Sequence, residues 1–182
     1  MKNESPNKKS TFRLIFSLLV FCALSVSLYV FYLFTGVPKT ADEALNKFFN
    51  NNVAEDQIMD PLILAGSKVV PLLLEKISDK SMQNRRYAIG AIGNIGDENA
   101  IPKLIGILND PVEDSYFRCD ALNSIAMISQ ETGRKLAQSY KADNDKCLAQ
   151  LSEALLSSDA GVWEKMNYMK RTYWQALLGR HS

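Results

Sequence analysis

The feature that most constrains the fold is an internal repeat with a period of roughly 31 to 33 residues. One alignment of the chain with itself places RRYAIGAIG, from Arg85 to Gly93, over RCDALNSIA, from Arg118 to Ala126. A second places VVPLLLEKISD, from Val69 to Asp79, over AIPKLIGILND, from Ala100 to Asp110. The matched apolar positions step by about one, three and three residues, which is the stripe of an amphipathic helix. Helix, turn and helix at this period predict an all-α fold, an α-solenoid of helical hairpins.

Gly90, Gly93 and Gly96 admit two interpretations. A glycine-rich loop that holds a phosphate would follow a buried strand and precede Lys-Ser/Thr, and neither pattern surrounds these glycines. The second copy of the repeat keeps the helical stripe without any glycine. We therefore predict that Gly93 is a small residue at a close contact between helices and that Gly96 ends its helix.

The string R-x-x-A-I-x-x-I-G-x-I-G-D-x-x-A-I-P-x-L-x-x-x-L-x-D, from Arg85 to Asp110, resembles the HEAT repeats of the phycobilisome-lyase type. The resemblance covers the repeats and does not extend to the N-terminal segment or to the C-terminal part of the chain. In that family, an aspartate that closes one hairpin and an arginine in the next form a ladder of bonds. The resemblance implies this role for Asp79 with Arg85 and for Asp110 with Arg118.

An apolar segment precedes the repeats. From Phe12 to Phe34 the only charged residue is Arg13, and as a helix the segment would be roughly 34 Å long, enough to cross a hydrocarbon core of about 30 Å. The alternatives are a cleaved signal peptide and a lipoprotein signal that ends at Cys22. The apolar run is longer than a signal core, and the candidate cleavage points lack the required small residues. We predict a retained membrane anchor.

The charges around this segment predict its orientation. Basic residues outnumber acidic ones before the span, so the positive-inside rule leaves the N-terminus in the cytoplasm. The repeats would then lie on the periplasmic or exterior side of an inner (cell) membrane, with the inverted topology as the alternative. The exported part is close to neutral, which argues against binding to nucleic acid.

These patterns divide the chain into five segments. The last is predicted to be a single helix that either caps the solenoid or binds a membrane surface or a partner. The segments are a basic tail (1–11), a transmembrane helix (12–34), a tether helix (35–52), the HEAT-like repeats (53–160) and a C-terminal helix (161–182).

The sequence offers few residues for catalysis. The only histidine, His181, is next to the C-terminus, so the triads that use a histidine base and the usual zinc sites are incomplete. We predict that the chain is not an enzyme and needs no cofactor or metal. Cys119 and Cys147 lie in the exported part, where they either form a disulfide or remain free buried thiols.

A scaffold for protein–protein interactions is the predicted function, as an accessory or assembly subunit of an envelope complex with membrane or periplasmic protein partners. The alternative is a lyase- or chaperone-like accessory factor that handles a cofactor or a client protein, which the resemblance to phycobilin lyases implies. Solenoids bind partners along the second helix of each hairpin, and aromatic, basic helices suit grooves. The predicted contact residues are Leu72, Glu75, Lys76, Lys103, Ile107, Trp163 and Tyr173.

Overall fold

A computed structural model of the chain describes residues 8–50 and 52–179. Within these ranges every regular element is a helix, which confirms the all-α class. Most of the predicted basic tail and His181 lie outside the described residues. The chain divides into two compact units, with the boundary between Gly36 and Val37.

The first unit is one long helix, α1 (Lys8–Phe34). Its stretch Phe12–Phe34 has 23 residues and a mean hydropathy of 2.5. Large apolar side chains along this stretch are exposed, among them Phe12 and Phe31 at 71% and 72%. The helix is long and apolar enough to cross a membrane, a property that a membrane anchor and a signal sequence share.

The second unit begins with α2 (Ala41–Phe49), which lies within the segment 35–52 predicted as a tether helix. The hydroxyl of Thr40 accepts a hydrogen bond from the backbone N–H of Glu43 and caps the helix start. Ala44, Leu45 and Phe48 form the buried face of α2, which packs against the following helix.

The repeats consist of first helices and second helices in alternation. The first helices α3, α5 and α7 lie in a row, because α3 packs against α5 and α5 against α7, while α6 and α8 pack against α7 from the second layer. The helices are α3 (Asp60–Ala65), α4 (Val70–Lys76), α5 (Arg85–Ile95), α6 (Ile101–Asn109), α7 (Ser115–Ile128), α8 (Gln130–Tyr140), α9 (Lys146–Leu156), α10 (Ala160–Met166) and α11 (Tyr173–Gly179). This arrangement is the predicted α-solenoid.

The apolar stripe of the repeat forms the core. Ile89 and Ile92 on α5 are fully buried, as are their repeat partners Leu122 and Ile125 on α7. Burial of each such side chain stabilises the fold by roughly 1.5 to 3 kcal/mol. The helical period of the sequence therefore places the core correctly.

The glycines have the predicted roles. Gly90 and Gly93 lie inside α5, and a Cβ atom at Gly93 would lie 2.8 Å from the Cα of Ser124 on α7. Gly96 ends α5 with a φ of +77°, a left-handed conformation that favours glycine. A phosphate loop is excluded here because the segment is a helix packed against another helix.

The predicted single C-terminal helix is wrong. The described residues form two short helices, α10 and α11, and residues 167–172 between them are not helical. We call this intervening segment the C-terminal strap. Its backbone is bound by the amide of Asn94 on α5, and this tertiary contact replaces the hydrogen bonds that a continuous helix would make.

Candidate functional site

Arg85, which was predicted to bond Asp79 in a ladder between hairpins, has different partners in the structure. The Arg85 guanidinium donates to both carboxylate oxygens of Glu113 at 2.9 and 2.8 Å, and its Nε donates to the carbonyl of Ile77 at 2.8 Å. Asp79 instead accepts from the backbone N–H and the hydroxyl of Ser81. The predicted Asp79–Arg85 hydrogen bond is therefore wrong, because Asp79 is bonded within its own turn and the guanidinium reaches the next repeat.

The second predicted pair, Asp110 with Arg118, is also wrong. Asp110 accepts from Lys80 at 2.7 Å, and the Nε of Arg118 donates to the carbonyl of Leu108 at 2.9 Å. The two arginines still share one function, since Arg85 and Arg118 each bond a carbonyl at the end of the preceding second helix. Such carbonyls have no partner within their own helix, so the repeated arginine stabilises the ends of α4 and α6.

Charge is concentrated in a cleft of about 270 Å³ at this edge of the solenoid. The side chains of Arg85 and Glu113 are only 2% and 4% exposed, and their hydrogen bonds hold the pKa of Glu113 below its usual value. Lys80 likewise lowers the pKa of Asp110. Predicted contact residues Lys103 and Ile107 line the same cleft.

Two of the predicted contact residues are not available to a partner. Ile107 is 5% exposed, on the helix that packs against α7, and Trp163 is 7% exposed, on the helix that packs against α9. Both side chains belong to the core, so their assignment as surface contacts is wrong.

The remaining predicted contacts reach solvent to different degrees. Glu75 and Lys76 are exposed on α4, Leu72 is half-buried on the same helix, and Lys103 is half-buried on α6. Tyr173 is 37% exposed and packs edge-to-face on Trp174, which is 61% exposed. The second helices and the start of α11 thus present separate polar and aromatic surfaces.

Asn94 binds the backbone of the C-terminal strap. Its amide nitrogen donates to the carbonyl of Met169 at 2.7 Å, and its amide oxygen accepts from the backbone N–H of Arg171 at 2.6 Å. Beside it, a Cβ atom at Gly90 would lie 2.6 Å from the sulfur of Met169. Helix α5 therefore has a polar anchor for the strap and a recess for its apolar side chain.

Carboxylates on α3 and α7 bind the side chains of the strap. Asp60 is buried on α3 and accepts from both Nε and Nη2 of Arg171, the latter at 2.7 Å. This bond raises the pKa of Arg171. On α7, the buried Asp120 accepts from the hydroxyl of Tyr168 and from the Nε of Arg86 at 3.2 Å.

Burial shifts the pKa values of Asp120 and Tyr168. Burial raises the pKa of Asp120, against the opposing effects of the Tyr168 hydrogen bond and of Arg86. Burial and the charge of Asp120 also raise the pKa of Tyr168. The tyrosine hydroxyl therefore remains a hydrogen-bond donor at neutral pH. Sequence reasoning missed the contacts between the strap and helices α3, α5 and α7. The available signal was that Gly90 and Asn94 differ from their repeat partners Asn123 and Met127.

A disulfide joins Cys119 on α7 to Cys147 on α9, with Cα atoms 6.0 Å apart. It links two helices of neighbouring repeats across α8. Cys22 on α1 is a free, exposed thiol. Among the described residues, no group of three or more histidine, cysteine, aspartate or glutamate side chains is arranged to hold a metal ion.

Comparison with known proteins identifies the repeats. Residues 70–159, from α4 to the loop after α9, match the family model of HEAT repeats. Neither the curated proteins nor the solved structures include a match to the chain. Within the α-solenoid, this part of the chain is therefore similar to HEAT repeats, which typically mediate protein–protein interactions.

Proposed function

We propose that this chain is a membrane-anchored scaffold for protein–protein interactions, an accessory or assembly subunit of an envelope complex. The observation that carries the proposal is the combination of HEAT repeats over residues 70–159 with the apolar helix Phe12–Phe34 on one chain. Confinement to a membrane raises the effective concentration of the repeats for proteins in the same membrane. A weak interface is then sufficient for stable assembly.

The partner surface is the exposed part of the second helices. Glu75 and Lys76 on α4 are solvent-exposed, and Lys103 on α6 borders the charged cleft. These side chains carry both signs of charge, so the surface suits a polar partner with complementary charges. Such complementarity gives specificity and accelerates association more than it adds affinity.

An exported location of the repeats is part of the proposal. The basic residues before the span favour a cytoplasmic N-terminus. The disulfide between Cys119 and Cys147 supports the same topology, because such bonds persist in oxidising compartments outside the cytoplasm. A reporter fused to the C-terminus tests this location: alkaline phosphatase should be active and green fluorescent protein dark, and the reverse pattern would refute export.

We also propose that the chain acts by binding and not by catalysis. Asp120, a buried carboxylate whose pKa is raised, is paired with Arg86 and Tyr168 of the same chain. Through the bond to Tyr168, Asp120 holds the C-terminal strap. A structural role explains its burial and its raised pKa.

A charge exchange on α4 tests the scaffold function. In the tagged full-length chain, Glu75→Lys combined with Lys76→Glu keeps the net charge and the helix propensity but inverts the surface pattern. We expect membrane proteins that co-purify with the wild type to be reduced at least tenfold, while Glu153→Lys on the exposed side of α9 leaves them unchanged. Equal capture by all three chains would refute the proposed surface.

A further inference from the structure

The first-helix row carries two buried carboxylates that bond to the C-terminal strap. Asp60 on α3 and Asp120 on α7 are 3% and 0% exposed. A buried carboxylate is costly unless it is paired. Both are paired with residues of the strap, Asp60 with Arg171 and Asp120 with Tyr168. The row therefore holds the strap by its side chains, and Arg86 on α5 shares Asp120 with Tyr168.

The contact at Asn94 recognises backbone and not side chains. One amide bonds the carbonyl of Met169 and the N–H of Arg171, two residues further along. A single side chain reaches both groups only when the intervening backbone leaves them unpaired, as in a non-helical segment. Any sequence can supply these backbone groups, so Asn94 selects conformation.

Selectivity comes from three side-chain positions on either side of this anchor. The hydroxyl of Tyr168 donates to Asp120, and the guanidinium of Arg171 forms two bonds with Asp60. The sulfur of Met169 lies over Gly90, which the sulfur of Met59 also approaches. Lys170 between them is exposed. The groove therefore selects an aromatic residue with a hydroxyl, an apolar residue, any residue and then arginine.

Part of the strap reaches solvent. Tyr168 is 50% exposed although its hydroxyl is bonded, and Lys170 and Thr172 are exposed. An open cavity of about 510 Å³ lies beside the strap, between α5, α7 and α10. A buried side-chain oxygen of Asn167 has no hydrogen-bond partner among the described residues. The strap is therefore accessible from solvent to a competing segment.

We propose that the groove formed by α3, α5 and α7 is a peptide-binding site, that the C-terminal strap occupies it in the free chain, and that a partner protein displaces the strap with an extended segment of the pattern tyrosine, apolar, any residue, arginine. The inference rests on the proposed function, because it specifies the chemistry of a protein partner. The acidic side chains Asp56 and Asp60 at the groove favour a basic segment, whereas Asp120 is already paired with Arg86 on α5. A tethered occupant competes at a high effective concentration, so the strap inhibits binding until it is displaced.

Fluorescence anisotropy with a labelled peptide tests the inference. The probe is NYMKRTYW, the sequence of residues 167–174, added to the purified full-length chain in detergent. Combining Tyr168→Phe with Arg171→Ala in the chain should release the strap and lower the Kd of the peptide at least tenfold relative to the wild type. Asn94→Ala in the released chain, or glutamate in place of arginine in the peptide, should reverse this gain.

A released chain that keeps its helical circular dichroism but binds the peptide no more tightly than the wild type would overturn the proposal. If the released chain unfolds, hydrogen exchange of the wild type still tests whether the strap opens independently of the core. We expect the amide of Arg171 to exchange at least tenfold faster than that of Ile92 in α5. Equal exchange would show that the strap opens only with the core, and would also overturn the proposal.

The two proposals fail separately. If the peptide does not bind, the α4 charge exchange still tests the scaffold function. If the charge exchange does not change partner capture, the anisotropy measurement still tests the groove.

Discussion

Removal of the disulfide between Cys119 and Cys147 should lower the free energy of unfolding of the repeat unit. The two cysteines are separated by 28 residues. Closure of a loop of about 28 residues in the unfolded chain corresponds to an entropy of about 12 cal/mol/K, or roughly 3.6 kcal/mol at 25 °C. For a unit of this size, each kcal/mol changes the melting temperature by about 2 to 4 °C, so the expected decrease is roughly 7 to 14 °C.

Thermal unfolding followed by circular dichroism at 222 nm measures this effect. The full-length chain in detergent is compared with and without reductant, and the double variant Cys119→Ser, Cys147→Ser serves as the matched control. The variant should have the same melting temperature as the reduced wild type, and reductant should not change it. Melting of the oxidised and reduced wild type within about 2 °C of each other would contradict a stabilising disulfide. Reaction of Cys119 and Cys147 with maleimide in the unreduced, denatured chain would show that the disulfide is absent.

Substitutions at two glycines and at Glu113 should change the free energy of unfolding. Gly93→Ala should destabilise the unit by roughly 1 to 3 kcal/mol, because the new Cβ would lie 2.8 Å from the Cα of Ser124; Gly106→Ala, where the Cβ meets open space, should stabilise it by about 0.5 to 1 kcal/mol. Chemical denaturation measures both, and changes of the same sign would contradict the packing account. Glu113→Gln should destabilise the unit by about 3 kcal/mol at pH 7, because it breaks a buried ion pair with Arg85. Arg85 lowers the pKa of Glu113 in the folded state. The stability that this ion pair contributes is therefore present above the unfolded pKa of Glu113, near 4.5, and is lost as the pH falls through the folded pKa. If Glu113→Gln lost stability in acid as steeply as the wild type, the ion pair would not be the cause.

Periodicity determined what the sequence predicted well. The spacing of Ile89 and Ile92, repeated at Leu122 and Ile125, located one core face without any knowledge of the tertiary contacts. Gly93 was predictable because a glycine in a helix interior is unfavourable unless a neighbour is close. These features depend on the local 3.6-residue period, which the sequence carries directly.

Long-range partners were less predictable. Arg85 has both Asp79 and Glu113 as candidate carboxylates, and the choice depends on the path of the turn before α7. The contact between Asn94 and the C-terminal strap joins residues 77 positions apart, and no periodic pattern marks it. The apolar spacing around Trp163 and Tyr173 suited one helix, but tertiary hydrogen bonds to the strap outweighed local propensity.

Site-specific photo-cross-linking in the intact membrane tests the central claim, that the repeats are a surface for protein partners. A photoreactive amino acid at Lys76 on α4 is compared with the same residue at Glu153 on α9; both positions are exposed. We expect one or a few discrete cross-linked proteins at position 76 and none at position 153. Identical cross-linking patterns at the two positions, or no adduct at position 76, would contradict it.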